Sequence, residues 1–164
     1  MKRTALALLL AIAAPALASV PSTTSRVDAA ADGIAVEYTF TFKTYAASHV
    51  EVYVGSVKQV AGFTVTLNAN QDLAPGGKVT FVTPPAALFT VRIQRTLPLQ
   101  QDTVYTPYSA FPAKATERAL DRLVMQGQQT DRRVADAEAT HAADKATQAA
   151  RDVVQDAQIA LGPG

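Results

Sequence analysis

The stretch that decides the reading runs from Arg95 to Leu123, RTLPLQQDTVYTPYSAFPAKATERALDRL. It joins two kinds of sequence. Before it, apolar residues recur at every second position, the period of a half-buried strand. After Pro112 the chain is rich in alanine and free of proline as far as Leu161. Within the joint, Pro98, Pro107 and Pro112 each disfavour helix at the residue before them. Tyr105, Tyr108 and Phe111 are large for a free linker. They are expected either to cover an end of the β-module or to contact another chain, since aromatic side chains are enriched at such contacts.

Working back from the joint, five alternating runs are visible. Val36, Tyr38, Phe40 and Phe42 alternate with Glu37, Thr39, Thr41 and Lys43. Val50, Val52 and Val54 alternate with Glu51 and Tyr53, and Phe63, Val65 and Leu67 with Thr64 and Thr66. Val79 and Phe81 follow Pro75-Gly76-Gly77, and Phe89, Val91 and Ile93 complete the set. Glu37, Glu51 and Lys43 fall on the wet faces. Turn signals at Gly55-Ser56, Ala61-Gly62, Pro75-Gly76-Gly77 and Pro84-Pro85 separate the runs. Connections this short favour antiparallel pairing. The expectation is a small antiparallel β-sandwich or partly closed barrel over residues 20–96. Its core of about 15 apolar positions is marginal alone, so oligomerisation is expected to help.

Working forward, residues 97–113 form a proline- and aromatic-containing bridge, and residues 114–164 an alanine-rich helix. The helix is expected to start between Pro112 and Thr116, with Thr116 a candidate N-cap. A helix of this length spans roughly 65 Å, more than one small domain buries, so it is expected to pair with other helices. Leu120, Leu123, Gly127, Thr130, Val134 and Ala137 follow heptad spacing. A shifted frame of Ala139, Ala142, Ala146, Ala149, Val153 and Ala160 continues it. Mixed charges suit a solvated outer face, and Gly162-Pro163-Gly164 ends the helix.

Met1-Lys2-Arg3 precedes an almost wholly apolar run from Thr4 to Ala18, with Ala16-Leu17-Ala18 before Ser19. This leader, residues 1–19, reads as a cleaved export signal or as an uncleaved helix packed into a partner. It is short for a membrane span, and Pro15 breaks it.

The charges, 15 Lys and Arg against 14 Asp and Glu, give no basic excess of the kind nucleic-acid binding calls for. The absence of cysteine excludes disulfides, thiolate metal sites and a cysteine nucleophile. His49 and His141, the only two histidines, read as a surface strand residue and a polar helix position. No phosphate-cradling glycine loop or calcium loop appears. Neither enzymatic activity nor a cofactor or metal is expected.

The order of these elements resembles the amino-terminal, virion-anchoring domain of tail fibres from short-tailed phages of the T-seven kind. The likeness covers about Thr24 to Gln129. It includes Tyr38-Thr39-Phe40-Thr41-Phe42, Val50-Glu51-Val52-Tyr53-Val54-Gly55, Lys78-Val79-Thr80-Phe81 and Val91-Arg92-Ile93-Gln94-Arg95. Its most specific part is Arg95–Leu123. The resemblance implies a trimeric virion protein whose helix begins a coiled-coil shaft. On that analogy the β-module docks on the tail tube, nozzle or a portal-adjacent adaptor. It also implies an inter-chain or tail interface drawn from Arg95, Pro98, Gln100, Tyr105, Tyr108, Phe111, Pro112, Glu117, Leu120 and Asp121. With no receptor-binding region after the helix, the expected role is an adaptor to which a separate fibre or tailspike attaches. The apolar leader is unlike the family and keeps a second reading open. That reading is an exported bacterial envelope protein, periplasmic or secreted, touching membrane only through the leader.

Overall fold

The computed structural model describes Val20 and residues 25–100 and 112–162, without the side chains of residues 159–161. The leader, and Tyr105, Tyr108 and Phe111 of the bridge, lie outside the described residues. Among the described residues there are seven strands. They are β1 (Arg26–Ala30), β2 (Glu37–Phe40), β3 (Val50–Val54), β4 (Val57–Gln59), β5 (Phe63–Leu67), β6 (Gly77–Phe81) and β7 (Thr90–Arg95). A 3-10 turn occupies Ala47–His49, and one helix, α1, runs from Ala113 to Leu161. The fold is an antiparallel two-sheet β domain followed by a long helix.

One sheet has the order β1-β7-β3-β4 and the other β2-β6-β5, and every pairing is antiparallel. Two pairings are local hairpins, β3 with β4 and β5 with β6. Gly55, at φ +61°, opens the two-residue turn of the first, a conformation that glycine adopts without steric cost. The remaining pairs close over long separations. Val52 and Val27 both register with Ile93, and Val54 and Ala29 with Val91, so β7 sits at the centre of its sheet.

The core lies between the sheets and consists of the alternating residues. Tyr38, Phe40, Phe42, Val50, Val52, Val79, Phe81, Val91 and Ile93 are buried, with Phe63, Val65 and Leu67 packed at the rim. Phe40 and Phe42 stack at 4.7 Å between centroids, and Tyr38 meets Phe81 edge-on at 5.7 Å.

Three expectations need correction. Five strands become seven. β1 offers only Val27 and Ala29 to the core, and β4 is a three-residue edge, so neither carries much alternation. The first strand stops at Phe40 and not Phe42. Its alternation therefore does not extend to Lys43, which is buried. His49 lies in the 3-10 turn, not in a strand.

Gly76 and Gly77 sit where three backbones converge. Gly76 holds φ +102°, and a Cβ there would collide with the Phe40 carbonyl oxygen. A Cβ on Gly77 would collide with that of Thr66. Neither obstacle is a flexible side chain. Gly77→Ala is therefore expected to cost about 1–3 kcal/mol through forced backbone shifts, read as a lower urea midpoint at unchanged slope. Gly127→Ala meets nothing within 4 Å on the helix surface. It should raise stability by about 1 kcal/mol through helix propensity alone.

Candidate interaction surfaces

The proximal half of α1 crosses the end of the sandwich where β1 and β3 begin and β7 ends. Side chains three and four apart share a helix face, and here that face is Asp121, Met125, Gln129, Arg132 and Asp136. Met125 and Gln129 are fully buried. Apart from Met125 this face is polar, and hydrogen bonds hold it down.

Arg95, at the end of β7, is 1% exposed. Its guanidinium donates to the Lys43 carbonyl at 2.8 Å, to the Met125 carbonyl at 3.1 Å and to Gln128 Oε1 at 2.7 Å. Burial, with the nearby Arg132 charge adding to it, pushes its pKa down to about 10. Lys43 Nζ lies 2.8 Å from Asp121 and 2.5 Å from Asp72. Burial opposes the ammonium form, but those two carboxylates outweigh it and raise the Lys43 pKa. Gln129 reads both backbone groups of Leu97. Its Oε1 accepts from the Leu97 amide at 2.6 Å, and its Nε2 donates to the Leu97 carbonyl at 3.3 Å. Gln126 donates to the Pro98 carbonyl at 2.8 Å. Farther along, Arg26 meets Asp136 at 2.6 Å.

Beside this clasp, Glu51 collects Lys58 at 2.6 Å, Gln94 at 3.1 Å and the Tyr53 hydroxyl at 3.1 Å. Partial burial pushes its carboxyl up, but these donors outweigh that and hold it at about 2.

The candidate interface residues therefore divide. Arg95 and Asp121 are interior and bind within their own chain. Pro98 is exposed, but its carbonyl is taken by α1. Gln100, Pro112, Glu117 and Leu120 lie at the surface. Thr116 is not an N-cap. It stands inside the first turn, and its hydroxyl donates back to the Pro112 carbonyl at 3.3 Å. His49 and His141 sit on different elements. No cluster of three His, Asp or Glu that could hold a metal occurs among the described residues.

Sequence reading missed Lys43, Met125, Gln128 and Gln129. The signal present was a Gln-rich run, Gln126 to Gln129 interrupted by Gly127, on a face that hydrophobic periodicity does not mark. Periodicity marked the opposite face. Leu120, Leu123 and Val134 are 58%, 63% and 51% exposed, about half a turn from Met125. Residues 137–158 are exposed throughout. No family model matches this chain, and no curated protein matches it.

Lys43→Met would remove the ammonium that Asp121 and Asp72 share and is expected to cost about 3–5 kcal/mol. Adding Asp121→Asn should recover part of that loss, a coupling that a double-mutant cycle in urea reads directly. Glu51 has a folded pKa below its usual 4.5. Its contribution is thus present above pH 4.5 and lost as pH falls from there toward 2. Glu51→Gln should flatten the acid limb of the stability curve in that window, measured by thermal melts.

Proposed function

We propose that this chain is a non-catalytic structural connector, a tail-fibre anchor or adaptor that joins a fibre or spike to a phage tail. One observation carries the connector reading. The proximal half of α1 has two opposed faces, one clasped to its own β-module and one exposing Leu120, Leu123 and Val134. Beyond it residues 137–158 extend in solvent for roughly 33 Å. Such a helix suits association through the outer face into a homo-oligomer, a trimer on the family analogy, with the β-modules carried outside. Placing Leu120, Gly127 and Val134 at one core position and Leu123, Thr130 and Ala137 at the other sets Arg133 and Glu138 at the flanks. In parallel, in-register copies these flanking positions face each other with opposite charge. The virion assignment rests on the ordered resemblance of Arg95–Leu123 to tail-fibre anchoring domains.

Met1–Ser19 favours a second reading, an exported envelope protein with a β-domain and helical spacer. Fractionation of uninfected cells separates the two. Mature protein in the periplasm, shortened by its first 18 residues, would sustain the envelope reading against the virion one.

Sedimentation equilibrium of the full chain is expected to return a multiple of the 17.3 kDa monomer mass. Leu120→Lys with Leu123→Lys should reduce it to the monomer while the β-module keeps its melting transition. A wild-type chain that is monomeric at high micromolar concentration and missing from purified virions would sink the proposal.

A further inference from the structure

The end of the sandwich opposite α1 is built differently. There β1 and β3 finish, β7 begins, and the connections 31–36, 55–56 and 82–89 come together. Backbone bonds tie them to one another. The Ala31 amide donates to the Phe89 carbonyl at 2.8 Å, the Leu88 amide to the Ala31 carbonyl at 3.3 Å and the Gly55 amide to the Thr90 carbonyl at 2.8 Å. From this fixed frame Ile34, Val57, Val82, Leu88 and Phe89 stand exposed.

Leu88 is the most telling of them. It is 99% exposed and holds φ +73°, the only non-glycine residue at positive φ among those described. A bulky side chain in that region is strained, and such strain concentrates at functional positions. Burial within its own chain does not offset it. The surroundings are almost free of charge. Residues 82–89 and 55–56 contain no ionisable group, and Asp32, the one charge in 31–36, has a carboxylate oxygen taken by the Ile34 and Ala35 amides.

We propose that this tip is the docking surface of the β-module, and that its occupant is an uncharged, apolar recess on a separate protein of the particle, anchored by Leu88. The proposal rests on the structural-connector reading above. Depletion of charge around exposed apolar side chains is the compositional mark of a protein–protein contact centre. An anionic lipid surface calls for Lys or Arg around such knobs, and the adjacent Lys58 is paired with Glu51 at 2.6 Å. The connector reading seats a second copy on the outer face of α1, across the other end of the sandwich.

The test uses virions carrying the full-length chain, with copies per particle counted by quantitative mass spectrometry. Leu88→Ser with Ile34→Ser is expected to lower the count roughly tenfold or more, as loss of a hot spot does, with solution mass unchanged. Leu88→Gly should lower it too, while its melting temperature rises because the backbone strain is relieved. That rise separates docking from folding. A double-serine chain present at the wild-type count overturns the tip assignment alone. A wild-type chain absent from particles overturns both the tip assignment and the connector reading. Two further outcomes replace the recess with another occupant and also overturn it. One is Leu88-dependent flotation with vesicles of equal parts phosphatidylcholine and phosphatidylglycerol. The other is self-association that the double-serine change abolishes.

Discussion

The buried guanidinium of Arg95 ties together three parts of the chain that are distant in sequence. It terminates β7 and places its donors on the segment after β2, on the α1 backbone and on Gln128. A guanidinium presents several donors in a rigid plane, so satisfying more than one acceptor restricts where each can lie. Its three hydrogen bonds go to neutral oxygens, so the desolvation of the cation is not offset by a contacting carboxylate. The depressed pKa reflects that cost. Lys43 supplies the complementary arrangement alongside, a buried ammonium between two carboxylates. The helix is thus positioned by directional contacts, with Met125 and Leu97 providing most of the fully buried apolar material at the junction.

That division of labour explains what was legible. The two-period alternation of Tyr38, Phe40, Val50, Val52, Val91 and Ile93 reports burial between sheets, and it located the β-module. The proline-free alanine run located α1 to within a residue or two of both ends. What escaped notice was held by hydrogen bonds. Lys43 follows an alternating run and reads as a wet-face residue, yet the strand has ended before it and the chain turns it inward. Arg95 and Asp121 read as surface residues in the joint sequence, but they serve the interior of this chain. Gln128 and Gln129 look like ordinary solvated helix residues, because nothing in hydropathy distinguishes a glutamine that reads a buried peptide group from one in water. β1 was missed because its core-facing residues are a valine and an alanine.

The helix periodicity marked Leu120, Leu123 and Val134 but did not say which face packs on the β-module. Leu120, Leu123 and Val134 advertise an apolar stripe, and a stripe of that kind on a helix beside a β-domain would ordinarily pack on the domain. Here the polar stripe does so and the apolar one faces out. The β-module is likewise asymmetric. Its α1 end is dense with ions and amides, while its opposite end is aliphatic and nearly uncharged. The β-module thus has one ionic pole and one greasy pole, and it carries a long alanine-faced rod.

The placement of β7 carries a consequence for biogenesis. It is the last made of the described strands, yet it is the central partner of both β1 and β3. At ribosomal rates of about 5–20 residues per second, β1 must wait several seconds before Ile93 and Val91 emerge to meet Val27 and Ala29. Until then the nascent chain can close its two hairpins but not its larger sheet, and the edges of β1 and β3 are bare to any neighbouring polysome product. Clamping by Arg95 must wait further, because its α1 acceptors Met125 and Gln128 lie 30 and 33 residues beyond it, so the larger sheet can close before the rod is fixed to it.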